Sequence, residues 1–168
     1  MKKTVFIAII ALIVLFLTSC SSSKSSNDSN KNAYTRAAIE GKCAVLDFHA
    51  GTNVTEEEME SISYNFRTNF HPSRYYVIES GRVKNETENL GYNNAKMSKE
   101  QLCELGRKLE VNMVVIGTIN KLMDEYSVDV QIINVSKGTT VASEGNTFPK
   151  SNYRNAVKSI AQKLANKL

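Results

Sequence analysis

The sequence predicts an α/β fold: one domain with a mixed five-stranded sheet and three helices, in the order β-α-β-α-β-β-β-α. Three patterns predict it. Short apolar runs alternate with capped helical periodicities up to residue 116. The run Met113 to Ile116 is apolar on both faces, as the central strand of a covered sheet must be. Beyond it, residues 126 to 143 read as strand, turn and strand.

Taken in order, Cys43 to Phe48 is a short buried strand, followed by a loop from His49 to Val54 that contains Gly51. Thr55 with Glu58 three residues on forms a capping box, and Glu56, Glu57 and Glu58 suit the positive end of a helix as a solvated helix start. Met59, Ile62, Phe66 and Phe70 recur at helical spacing, and Pro72 stops the helix. Tyr75 to Ile78 is the second strand. Ser80 to Met97 is a long polar stretch with few apolar anchors, expected as a loop. Ser98 with Gln101 opens a second helix carrying Leu102, Leu105 and Leu109.

Gly117 to Lys121 extends the central strand, and residues 122 to 125 turn the chain. Val128, Val130 and Ile132 then point inward, with Asp129 and Gln131 outward. Ser136, Lys137 and Gly138 form a hairpin turn, with Gly138 suited to a left-handed conformation. A final helix carries Tyr153, Val157, Ile160, Ala161, Leu164 and Leu168 on one stripe. The two helical crossovers imply right-handed units with parallel strands.

The chain has 168 residues, with apolar residues at 42% and charged residues at 23%, which excludes a wholly disordered chain and a multi-span membrane protein. The formal charge of +4 is mostly a leader effect: from Ala33 onward, 17 basic residues face 16 acidic ones. Nucleic-acid binding, which needs a clustered basic face, gains no support.

Residues 1–19 read as a lipoprotein signal peptide. Lys2 and Lys3 precede an apolar run of 13 residues, Val5 to Leu17, too short to span a bilayer. Leu17, Thr18, Ser19 and Cys20 resemble the bacterial lipobox, in which the cysteine carries the lipid, so Cys20 is the expected lipidation site. Two or three acyl chains hold a protein on a membrane where one does not. Residues 20–41 are the lipidated cysteine and a flexible tether. Ser21 to Asn32 holds six Ser, three Asn, two Lys and one Asp, and can bury nothing. As a coil the tether reaches about 25 Å. No acidic run follows Cys20 and residue 21 is Ser rather than Asp, which favours the periplasmic face of the outer membrane.

Within residues 42–168, three stretches carry a family resemblance. They are Ala44 to Phe48 running into Gly51 and a Glu-rich helix start; Leu105-Gly106 through Val114 to Ile119; and Tyr126 to Val135 closed by Lys137-Gly138 and Val141 to Ser143. Together they resemble the domain shared by the CsgG secretion lipoprotein, the LpoB-type activators of penicillin-binding proteins, and the amino-terminal domain of TolB. That resemblance implies a non-enzymatic domain that binds other envelope proteins, with a regulator of peptidoglycan synthesis as one role. A self-associating subunit of a secretion or surface-fibre complex is the alternative.

The residues themselves offer little chemistry. Only His49 and His71 could serve a nucleophilic triad, and a ligand-binding protein or hydrolase using the His49 loop is the remote alternative. Paired His or CxxC spacings are missing, so neither a metal nor another cofactor is expected. Cys43 and Cys103 are a candidate disulfide, with two buried free thiols as the other reading. The stretch from Ser80 to Met97 is the candidate partner surface, with Arg82, Lys84, Tyr92 and Asn94 as contacts.

Overall fold

The computed structural model describes residues 38–93 and 97–168. The leader, Cys20 and Asn94 lie outside the described residues. The expected α/β class and mixed sheet are what the chain adopts. Strands β1 (Gly41–Val45), β2 (His49–Ala50), β3 (Tyr75–Val77), β4 (Met113–Leu122), β5 (Glu125–Asn134) and β6 (Thr139–Pro149) form one sheet in the order β3-β1-β4-β5-β6, with β2 paired to β4. The β1–β3, β1–β4 and β2–β4 pairs are parallel, and β4–β5 and β5–β6 are antiparallel. The helices are α1 (Glu56–Asn69), α2 (Ser80–Asn89), α3 (Lys99–Lys108) and α4 (Tyr153–Ala165).

Two elements correct the sequence reading. His49–Ala50, expected in a loop, is a short strand that resumes the line of β1 against β4 at Thr118 and Ile119. The bonds from Leu46 N–H to Val115 O (3.0 Å) and from Gly51 N–H to Ile119 O (2.7 Å) hold both ends of the break. Ser80–Asn89, expected as part of a loop, is helix α2. Only Val83 and Thr87 are buried along it, so its apolar signal is one residue wide, and no side chain caps its start. Both expected capping boxes, Thr55 with Glu58 and Ser98 with Gln101, are present in full.

Strand alternation splits the core into two layers. Cys43, Val45, Met113, Val115 and Ile132 face one side, beneath Ile62, Phe66 and Phe70 at α1 and Val157, Ile160 and Leu164 of α4. Ala44, Leu46, Val114 and Ile133 face the other, beneath Val83 of α2 and Leu102, Leu105 and Leu109 at α3. The candidate disulfide is corrected by the same alternation. Cys43 lies in the first layer and Cys103 in the second, with the sheet between them, and both are free buried thiols. Burial pushes the Cys43 thiol up to about 12, so it stays protonated and unreactive at neutral pH.

Where β1 breaks, Phe48 turns into the first layer and lies against Gly117. A Cβ at position 117 would come within 2.6 Å of the Phe48 ring, so only glycine lets the ring reach the strand. The Phe48 N–H, which leaves the sheet ladder at the break, donates to Ser63 Oγ of α1 at 3.0 Å. This bond satisfies a buried donor and accounts for a buried serine on the apolar face of α1.

Candidate functional site

Parallel strands leave a gap beyond their carboxyl ends where the chain departs to different sides of the sheet. Here β1 gives way at Leu46 to Phe48, and β3 feeds directly into α2. The gap is an open crevice of about 760 Å³. Its floor is Asp47 to Ala50. One wall is the outer face of α1, where Glu56, Glu60, Tyr64 and Arg67 recur every three or four residues, with Met59 beside them. The other wall is the first turn of α2, with Ser80, Gly81 and Lys84, and Asn93 closes the end.

The crevice is charged with both signs. An Arg67 guanidinium nitrogen donates to Asp47 Oδ1, which ties α1 to the floor. The pair is partly solvated, so it contributes up to about 1 kcal/mol. Glu56 and Glu60 are exposed on the α1 wall and Lys84 is exposed on the α2 wall. Tyr64 is 66% exposed, a large ring left on the solvent face of a helix whose other face is core.

The structure divides the sequence-predicted residues. Lys84 and His49 come together on this crevice. Arg82 turns away and donates to Leu109 O at the end of α3 (3.2 Å). The Tyr92 hydroxyl donates to Glu104 Oε2 (2.5 Å), and that carboxylate raises the phenol from its ordinary value. Arg82 and Tyr92 therefore clasp α2 to α3. His71 lies at the end of α1, its Nε2 2.9 Å from Thr68 O. Sequence reasoning missed Asp47, Glu60, Tyr64 and Arg67. An aromatic side chain opposite the Ile62–Phe66 stripe was the available signal.

Glu58 also departs from the solvated role expected of it. Its side chain is 15% exposed, and Oε1 accepts bonds from Lys121 Nζ (2.7 Å), Tyr126 OH (2.7 Å) and Lys150 Nζ (3.1 Å). Oε2 accepts from the Thr55 N–H at 3.3 Å. The Lys121 and Tyr126 bonds are the main reason the carboxyl is held down to about 2. This hub joins the start of α1 to β4, β5 and the turn that follows β6, and so fixes the α1 wall.

No curated protein matches the chain by sequence. Among solved structures the fold is similar to lipoprotein GNA1162 from Neisseria meningitidis, with a TM-score of 0.52 and 15% identity over 76% of this chain and 98% of that one. It is similar to the LpoB C-terminal domain from Salmonella enterica, with a TM-score of 0.50 and 10% identity over 67% and 85%. The third is TolB from Acinetobacter baumannii, with a TM-score of 0.50 and 19% identity over 77% of this chain but 28% of that one. The chain thus spans little more than a quarter of that TolB. These likenesses establish an LpoB-like fold. A family model described as FlgO protein matches residues 42–153.

Proposed function

The chain belongs to the FlgO protein family, and from that premise we propose that it is a lipid-anchored, non-catalytic accessory domain of the bacterial envelope that docks another envelope protein in the α1–α2 crevice. The observation that carries this reading is Tyr64. It stands 66% exposed on the lining of the crevice, which Glu56, Glu60 and Lys84 also line. An exposed aromatic ring within a charged rim is the composition of a protein-docking surface.

Position supports the reading. The chain enters β1 at Gly41, and the crevice opens beyond the carboxyl end of that strand. The site therefore lies at the opposite end of the strand from the segment that leads back to Cys20. Anchoring at Cys20, on the periplasmic face of the outer membrane, would confine the domain to a layer about one tether length deep. That confinement raises its effective concentration for a neighbour without any added contact. The neighbour that the resemblance to LpoB-type activators implies is a peptidoglycan synthase.

A photo-crosslinking residue at position 64 of the full chain, installed in living cells, tests this. We expect one discrete adduct with another envelope protein, reduced at least tenfold by Lys84→Glu. The same probe at Lys158, exposed on α4 and not among the residues that line the crevice, should give none. Equal yields at 64 and 158, or no adduct at 64, would overturn the assignment.

A further inference from the structure

We propose that the free edge of β6 pairs antiparallel with the same edge of a second copy of this chain, about a two-fold axis at Gly145. β6 ends the sheet order, so one of its edges meets no strand among the described residues. Hydrogen-bond parity shows which groups are bare there. The Val135 N–H is bonded on the β4 side, to Asn112 O (2.9 Å), whereas Asn134 O accepts from Gly138 on the β6 side (2.8 Å). Even-numbered residues of β5 therefore address β6. Their partners there are Ala142, Glu144, Asn146 and Phe148. The residues between, Ser143, Gly145 and Thr147, must turn their N–H and C=O groups outward. Lys167 Nζ agrees, reaching Ser143 O from outside at 3.2 Å.

This bare segment is self-complementary. With Gly145 opposite Gly145 of the second copy, Ser143 falls opposite Thr147, and each facing pair exchanges both backbone bonds. Glu144 then stands opposite Asn146, so like charges do not meet across the pair. Thr139 to Pro149 carries no other ionised side chain, and Glu144 is already matched by Lys167 at 2.6 Å. Gly145 leaves the backbone naked at the axis. Limits exist on both sides: Pro149 has no N–H, and the bulge opposite Ile132/Ile133 breaks the ladder. The opposite edge, β3, has only three residues and offers no comparable template.

Lys167, just past the end of α4, blunts the edge from outside the strand with an ammonium, the charge that edge strands themselves often carry. Pairing requires its ammonium to release Ser143 O while it keeps Glu144. A contact of this length is small by the standard of stable interfaces, so the dimer forms where copies are crowded on one surface. The pairing does not involve the crevice, and it rests on the proposed anchoring only for the crowding of copies.

The test is cysteine cross-linking of the full chain in cell envelopes under mild oxidation. Ser143→Cys/Thr147→Cys places two thiols in facing positions of the dimer, within disulfide reach. Each single variant places its thiol about 13 Å from its own symmetry mate, four strand residues away. We expect the double variant, or the two singles co-expressed, to give a disulfide-linked dimer at least fivefold above either single. Lys167→Ala should raise that yield twofold or more. Cys43, which has no exposed surface, serves as the reporter of folding, since it must stay closed to maleimide while positions 143 and 147 label. A folded double variant whose new thiols label but do not cross-link would overturn the proposal, as would equal cross-linking by the single variants.

Discussion

Phe66→Ala will lower the unfolding free energy of the domain by about 3–5 kcal/mol, the cost of deleting a fully buried aromatic ring. Phe66 has no exposed surface and sits between two other rings. Its centroid is 5.0 Å from that of Phe48, tilted at 52°, and 5.2 Å from that of Phe70, stacked at 20°. The three rings come from the β1–β2 break, the middle of α1 and the residue ending α1. Collapse to fill the cavity would have to move the crevice floor. With a total stability of roughly 5–15 kcal/mol for a domain of this kind, the loss is a large share. Urea unfolding of the variant against the parent measures it, and Phe66→Leu should lose about half as much or less. A Phe66→Ala cost below about 1 kcal/mol would mean that the α1 layer is not packed as described.

Glu58→Gln will remove up to about 2 kcal/mol at neutral pH, solvent screening keeping it below the limit the shift sets, and most of that deficit will be gone by pH 2.5. The folded carboxyl is held at about 2, below its ordinary 4.5, by the donors Lys121 and Tyr126 first and Lys150 after them. A group whose folded value is depressed contributes stability that is fully present above the unfolded value. The contribution is lost as pH falls from about 4.5 towards 2. Each unit corresponds to about 1.4 kcal/mol, which sets an upper limit of about 3 kcal/mol for a shift of this size. Burial, then the bond to Glu58, raises the Tyr126 phenol, so it remains a donor throughout the range. Unfolding of parent and variant at pH 7, 4 and 2.5 gives the difference directly, and the subtraction cancels the other carboxylates. A deficit that stays constant across this range would show that the hub acts through shape rather than charge.

Much of the fold was legible because its signals are local. Thr55 with Glu58 and Ser98 with Gln101 each state a helix start within four residues. Met113 to Ile116 announces a strand covered on both sides, and the alternation from Val128 to Ile132 announces one covered on a single side. Helix α2 was hidden because a short helix with one buried apolar side chain leaves no stripe. The strand at His49–Ala50 was hidden because two residues carry no periodicity. The candidate site was less legible for a deeper reason. Lys84 and His49 could be named, but Asp47, Tyr64 and Arg67 become neighbours only when β1 breaks and α1 crosses over it. Glu58 looked solvated because its partners Lys121, Tyr126 and Lys150 lie 63 to 92 positions away. Arg82 and Tyr92 looked like free surface residues because α3, which they clasp, is distant in the chain from neither but carries no sign of its own packing direction.

The reading of this chain as an anchored docking domain stands or falls with Cys20. Metabolic labelling with a palmitate analogue, followed by separation of inner and outer membranes, compares the parent chain with Cys20→Ser. The parent should carry label and sediment with the outer membrane, and the variant should carry none and appear in the soluble periplasmic fraction. A Cys20→Ser chain that still takes up label, or a parent chain recovered unlabelled and soluble, would contradict the account.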